Sequence, residues 1–513
     1  MTTLTRRDLI ATGAAVAAFP FSRPALAAAP AGELTWAIHV SLAPTWFDPA
    51  ETQALVTPFM VLYALHDAVV KPMPDRLYTP SLAESWTVSE DALTYEFVLR
   101  DGARFHNGEK VTAEDVKFSF ERYHGASDKL MKDRVAVIET PDPRRVRFKL
   151  KAPWPDFLTF YSTASGAGWV VPKKYVEEVG DDRFRKHPIG AGPYKFVSFN
   201  PGVELVLEAF DGYWRKTPAV KRIVMKVIQD ESTRLAALKA GEVDIAYSIR
   251  GELAEELQKM PGLTIKSVVT QAANWIYFPE QWDPKSPWHD IRVRQAANLA
   301  IDRDAMNKAL FLGGCKITNS IIPDTFEHYW QPPPAVFDRD KAKKLLAEAG
   351  YANGFDAGMF WCDASYANIG EVALDDFQQV GIRAKLNPIE RAGFLTAFGG
   401  KQYGKGILRA ASGAFGNAAT RLASFTVKGG AYVYGSYPDI DELYPQQAVE
   451  LDAKKRQAIL EKMQRLMHDK AMYAPLFLLA FLNGIGKRVG ESSFGRIGGL
   501  PYTAPFEDIT IKT

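Results

Sequence analysis

In the early part of the chain, hydrophobic and polar positions alternate with a period of two. Leu93, Tyr95, Phe97 and Leu99 alternate with Thr94, Glu96 and Val98, and Val146, Phe148 and Leu150 alternate with Arg145, Arg147 and Lys149. Both runs predict half-buried strands. Between them, TAEDVKFSFERY sets Thr112 three residues before Asp115, the spacing of a capping box, and places Val116, Phe120 and Tyr123 on one helical face. Val203, Leu205 and Leu207 restore the period of two. ESTRLAALKAG then reads as a helix ending at Gly241, followed by the strand EVDIAYSI.

Past about residue 290 the rhythm becomes helical. DIRVRQAANLAIDRDAMNKALFLGG reads as one helix running into another, with Asp302 as cap of the second and Gly313 as its stop. DRDKAKKLLAEAG adds a helix capped by Asp338, with Ala342, Leu345, Leu346 and Ala349 as its stripe and Gly350 as its stop. Strands predicted at 355–361, 382–386 and 406–410 alternate with helical segments, a βαβ rhythm that implies a mostly parallel sheet covered by helices. A long helix near 453–468 precedes the apolar strand PLFLLAFL. WDPKSPW, from Trp282 to Trp288, lies close to the boundary between the two rhythms.

The first 27 residues follow another pattern. TRRDLI, ATGAAVAAF and PFSRPALA form a charged head, a short apolar run, a Pro break and an AxA ending at Ala27, the order of an export signal. The run from Leu9 to Phe19 is too short to span a bilayer. Arg6 and Arg7 resemble the twin-arginine variant, and an ordinary secretory signal is the alternative. Cleavage near Ala27 and no stable membrane anchor are the expectations.

Charge sharpens this picture. Beyond Ala27 the chain holds 59 basic and 59 acidic residues, so there is no general basic footprint for nucleic acid or anionic membrane. Among 513 residues Cys315 and Cys362 are the only cysteines; they could pair in an oxidising compartment or serve as two small buried hydrophobes. Aromatic residues make up 12%, which suits core packing and also a cleft for a partly apolar ligand.

Catalytic chemistry finds little purchase. GGKQYGKG has Gly399, Gly404 and Lys405 at phosphate-loop spacing, but Gly406 stands where Ser or Thr would hold magnesium. The eight histidines are scattered, HExxH and GxSxG are missing, and the acid pair Asp375–Asp376 reads as a solvated helix face. No catalytic residue, metal site or cofactor is assigned.

Several extended segments together resemble a known family: LAESWTVSEDALTYEFVLRDGARFHNGEKVTAEDVKFSFER, GAGPYKFVSFNPGVELVLEAFDGYW, DESTRLAALKAGEVDIA, DIRVRQAANLAIDRDAM and DRDKAKKLLAEAGY. They are similar to the periplasmic solute-binding proteins of ABC importers, in the family 5 group of oligopeptide, dipeptide and nickel binders. The resemblance implies an α/β, two-lobed periplasmic-binding-protein fold (type II, Venus-flytrap) with an extra subdomain in the first lobe. The implied division is a first lobe at 28–272, with the subdomain at about 60–170, a second lobe at 273–482, and a return to the first lobe at 483–513. It further implies a periplasmic monomer that encloses a small solute between its lobes and hands it to a permease whose ATPase subunits hydrolyse ATP. The competing class is a secreted enzyme exported by the twin-arginine route.

The ligand region departs from the dipeptide binders that the chain resembles. Where those carry GWxxDxxDP, with an acid for the ligand's ammonium group, this chain reads LRAASGAFGNAATRL, without an acid between Ser412 and Thr420. Where they place an arginine for the carboxylate, this chain has Trp361, Cys362 and Asp363. Strand ends face the crevice in open α/β sheets, so Trp361 and Asp363 are the leading candidates for the lining, with Trp275, Phe278, Phe415, Asn417 and Ser41 beside them. The expected solute is neutral, or cationic with Asp363 as counter-charge. Arg409 and Arg421 leave an anionic group open, although as strand and loop charges they are expected in solvent.

Overall fold

The structure is a computed structural model that describes residues 30–52, 57–125, 127–249 and 251–512. The export signal and its cleavage point lie outside the described residues. In chain order the strands used below are β1 Ala31–Ile38, β2 Ala83–Val88, β3 Thr94–Leu99, β4 Val135–Asp142, β5 Arg145–Leu150, β6 Tyr194–Asn200, β7 Glu204–Ala209 and β8 Val220–Val227. They continue as β9 Ile245–Ile249, β10 Thr264–Tyr277, β11 Lys316–Ile317, β12 Phe355–Asp363, β13 Ile382–Ile389, β14 Ile407–Ser412 and β15 Tyr473–Ile485. The helices used below are α1 Ala113–Arg122, α2 Glu231–Ala240, α3 Ile291–Ala300, α4 Arg303–Phe311, α5 Arg339–Glu348, α6 Ala367–Gln378, α7 Arg391–Gly399, α8 Ala418–Phe425 and α9 Ala453–Asp469.

Local chemistry sets many of the helix ends. Thr112 and Asp115 form the reciprocal capping box of α1, each side chain accepting the other's backbone N–H. Asp290, Asp302 and Asp338 cap α3, α4 and α5 through N–H groups that no intrahelical carbonyl can reach. Gly241 ends α2 in the left-handed conformation.

β2, β3, β5 and β4 form a separate antiparallel sheet, in that order, against which α1 packs. Its inward residues Phe97 and Phe148 meet Phe120, Phe157 and Tyr161 in a core of their own. The main sheet runs β6-β7-β8-β1-β9-β15-β10-β14-β12-β13, with β11 added to β15. It is mixed. β1 lies parallel to β8 and β9, and β12 lies parallel to β13 and β14, whereas β10 pairs antiparallel with both β14 and β15. The expectation of a mostly parallel second half is thus corrected: the two longest strands run oppositely through its middle.

Those strands, β10 and β15, carry the sheet from one half of the molecule to the other. Their partners change along their length: β9 lies beside the end of β15 near Leu482–Ile485, and β14 lies beside β10 at Ala273–Tyr277. β15 is apolar on both faces because it is central and covered on both sides. Trp36, Leu205 and Ile223 anchor the core on one side of the crossing; Phe278, Trp288 and Phe477, and separately Trp275, Leu422 and Leu460, anchor cores on the other.

Two further local expectations are corrected, and one of the two readings left open for the cysteines is met. Val203 is exposed and precedes its strand instead of alternating within it. Asp376 is buried, accepting from Arg339 Nη2 at 2.7 Å and from Asp302 N at 3.0 Å, because α6 turns that face toward the start of α4. Cys315 and Cys362 are free and buried. Glycines of the GAGPY segment permit a close approach: a Cβ on Gly190 would lie 1.9 Å from the Leu65 carbonyl oxygen.

Candidate functional site

Where β10 passes between the halves its pairing slips, with no register partner on β15 between Val269 and Ala273. Thr270 there forms a parallel bridge with Gly499 of the C-terminal tail. Gln271 reaches both halves: its Nε2 donates to Gly413 O at 3.4 Å, and its Oε1 lies so near Gly499 that a Cβ there would be 2.4 Å away. Gly499 has φ +81°, a conformation that favours glycine in any case.

A cavity of about 270 Å³ opens beside this irregularity. Its walls come from β10 (Gln271, Asn274), the end of β12 (Asp363), Tyr366, the start of α7 (Arg391, Phe394), β14 (Arg409, Ala411), β15 (Phe481) and the tail (Pro501, Tyr502). Behind Tyr502 stand Tyr247, stacked at 5.2 Å, and His39 at 5.8 Å, so the tail side of the wall is a pile of rings.

Arg409 is the most unusual group in the lining. It is 2% exposed, its guanidinium lies 4.3 Å from the centre of the Tyr366 ring, and Nη2 donates to Asn274 Oδ1. Its Nε is buried with no hydrogen-bond partner among the described residues. Burial pulls its pKa down to about 10, against the opposing influence of Tyr366 and Asp363, so it stays charged at neutral pH. Asp363 does not neutralise it directly. That carboxylate accepts from Ser365 N at 2.9 Å through Oδ1 and from Arg391 Nη1 at 2.7 Å through Oδ2. Two arginines and one aspartate therefore leave the lining with one net positive charge. Arg421 adds a second buried cation behind the loop after β14, donating to Ser412 O at 3.1 Å and Ala414 O at 3.2 Å; burial pulls its pKa down to about 9. The expectation that Arg409 and Arg421 are solvated is corrected, since both are buried.

Of the residues singled out from sequence, Asp363 lines the cavity. Trp275 packs edge-on against Phe425 at 5.0 Å, and Phe278 stacks on Trp288 at 4.6 Å, both within cores. Trp361 stacks on Tyr403 and donates from Nε1 to Lys405 O at 2.9 Å. Ser41 is exposed and accepts from Gln229 Nε2 at 2.9 Å. Phe415 and Asn417 bridge the halves. Phe415 meets Phe59 at 5.9 Å, and Asn417, the cap of α8, donates from Nδ2 to Asp156 Oδ1 at 2.6 Å and Thr159 Oγ1 at 3.2 Å.

Sequence reasoning gave Arg409 too little weight and missed Asn274 and Gln271. The available signal was a single charge within the apolar strand ILRAAS, and two amides inside one long strand, QAANW. A polar group at such a position is buried at a cost unless something partners it. Among the described residues no group of three His, Cys, Asp or Glu side chains is placed to hold a metal.

Residues 78–458 match the model of the bacterial extracellular solute-binding proteins, family 5 Middle. The glutathione-binding protein GsiB of Escherichia coli O1:K1 / APEC is 30% identical over 320 residues, which span 60% of this chain and 60% of that relative. Among solved structures, the substrate-binding protein CtaP of Listeria monocytogenes superposes with a TM-score of 0.80 at 22% identity, over 94% of this chain and 100% of that one. The binding protein AgaA of A. tumefaciens R10, in complex with agropinic acid, does so with a TM-score of 0.67 at 25% identity, over 94% and 98%. The match to the family model covers well over half of the sequence, and the chain belongs to the bacterial extracellular solute-binding proteins of family 5.

Proposed function

We propose that this protein is the periplasmic solute-binding component of an ABC importer, and that it carries a small solute bearing a carboxylate or similar anionic group. The family supports the binding role, and it displaces the secreted-enzyme alternative, since its members are solute-binding proteins. The importer role is supported by the structural neighbour DppA of Helicobacter pylori, 25% identical and named as an ABC transporter-associated periplasmic binding protein. We take 28–272 and 483–513 as one lobe, about 60–170 as its extra subdomain, and 273–482 as the other lobe. The cavity then lies where the lobes meet, and a solute touching both stabilises their closed arrangement by its differential affinity. The closed protein, acting as a monomer without a membrane anchor, would present the solute to the permease and its ATPase subunits. No helix among the described residues is long and apolar enough to cross a membrane.

One observation carries the solute class: Arg409 is a buried cation in the cavity wall with an unpartnered Nε. Leaving such a charge uncompensated is costly, and an anion entering the cavity supplies a counter-charge. This reading replaces the cationic solute expected from Asp363, whose carboxylate is occupied by Arg391. GsiB is named for glutathione and AgaA was solved with agropinic acid, both carboxylate-bearing compounds. The cavity, at about 270 Å³, suits a solute of that scale better than a long peptide.

Calorimetry with glutathione, agropinic acid, a dipeptide and a cationic amine tests the proposal, alongside native mass spectrometry of the purified protein for any retained solute. Binding of a carboxylate compound that Arg409→Met weakens by about tenfold or more is the expected result. Tight binding of the amine alone, or affinity indifferent to Arg409→Met, would overturn it.

A further inference from the structure

Resting on Arg409 as the anchor, we propose that Asn274 is the residue that sets the sign of charge the cavity accepts. It does so by giving Arg409 an acceptor without giving it a counter-charge.

Asn274 is fully buried on β10. Its orientation is fixed, because Nδ2 donates to Ala272 O at 3.0 Å within the slipped segment of the strand. The carbonyl end is thereby turned to Arg409, whose Nη2 donates to it. An amide oxygen holds the guanidinium in place but leaves its full charge standing.

The other deeply buried arginines show what is distinctive here. Arg456 is paired with Asp156, while Arg234, Arg294, Arg303 and Arg421 spread their donors mainly over backbone carbonyls. Among the described residues that are buried arginines, Arg409 is the one with a buried nitrogen lacking any partner. Position 274 is where an acid would complete the pair. An aspartate there would meet Arg409 at hydrogen-bonding range, close the site electrostatically and leave an arriving anion with a carboxylate to displace. The amide therefore works as a selectivity device: anions are drawn in, and a cation finds the arginine unshielded. Because Asn274 is tied to the irregular part of the crossing strand, it also holds the anchor in register with the segment where the halves meet.

The variants Asn274→Asp and Asn274→Ala, with wild type, provide the test. Binding of glutathione and agropinic acid is measured by calorimetry, and thermal stability is compared in sodium sulfate and in sodium chloride at matched ionic strength. Sulfate stabilises folded proteins in general, so only its difference between variants is read. If Asn274 sets the charge preference, Asn274→Asp loses the anion affinity and the extra sulfate stabilisation of wild type, each by about tenfold or more in binding. Asn274→Ala, which frees the guanidinium without neutralising it, keeps the preference for anions at reduced affinity. A merely structural role would weaken both variants alike, and that outcome overturns the proposal. So does an Asn274→Asp protein that binds anions like wild type. Should Asn274→Asp not fold, an Asn274→Ala protein with unchanged anion affinity overturns it instead. Wild type that ignores both carboxylate compounds, yet shows a sulfate response that Asn274→Asp removes, refutes the proposed solute class and upholds the role of Asn274.

Discussion

On the proposed division into lobes, Asp156 of the subdomain meets Asn417 and Arg456 of the other lobe, and its removal should loosen that contact without unfolding either side. Its Oδ1 accepts from Arg456 Nη2 and from Asn417 Nδ2, each at 2.6 Å. The side chains of Arg456 and Asp156 are 4% and 16% exposed. The network continues from Asn417 through Thr159 to Tyr78, whose hydroxyl donates to Glu327 Oε2 at 2.8 Å. Removing one partner of a buried ion pair costs about 3–5 kcal/mol. Arg456 keeps its bonds to Gln447 and Asp156 retains some contact with water, so the lower end, about 3 kcal/mol, is the reasonable value. The charges on both sides rehydrate when the halves separate, so this penalty falls on the closed arrangement and not on each half's own core. At about 1.4 kcal/mol per factor of ten, Asp156→Ala should shift the open–closed equilibrium by roughly 150-fold. Small-angle scattering should show a larger radius of gyration, and solute affinity should fall. A double-mutant cycle with Arg456→Met should return most of the 3 kcal/mol as coupling. Unchanged scattering and affinity, or additive losses in the cycle, would refute the reasoning.

Three other outcomes are expected. Burial lowers His66 and His39 to about 4 and His106 to about 3, so the folded chain binds fewer protons than the unfolded chain below pH 6.5. Stability present above about pH 6.5 is therefore lost as pH falls toward 4, and the fully buried His66 alone contributes about 3 kcal/mol; denaturant unfolding at pH 7 and pH 4.5 should show a smaller drop in His66→Asn than in wild type. Gly190→Ala drives a methyl into the Leu65 carbonyl and should cost about 1–3 kcal/mol, seen as a lower urea midpoint. Cys315 and Cys362 are free, and burial pushes their pKa values up to about 12 and about 11; a thiol-reactive dye should label neither in the native protein and both after unfolding, with reductant leaving the melting temperature unchanged.

Much of the local structure was legible in the residues themselves. The capping box at Thr112, the caps at Asp302 and Asp338, the helix end at Gly241 and the alternation of β3 and β5 depend on neighbours within a few positions, and a period or a spacing records them directly. Long matching segments also carried the family. The cavity was less legible, because its walls come from residues that are tens to hundreds of positions apart: Asn274, Asp363, Arg409 and Tyr502 meet only when β10 and β15 bring the halves together. Trp275 and Phe278 illustrate the limit. Their chemistry suits a ligand wall as well as a core, and only the register of β10 turned them into cores and turned Asn274 toward Arg409. Asp363 and Arg409 show the same for charge. Sequence supplies the ionisable groups, but whether an acid is free or an arginine unpaired depends on which partner folding brings within about 3 Å, and here tertiary structure gave Asp363 to Arg391 and left the Nε of Arg409 open.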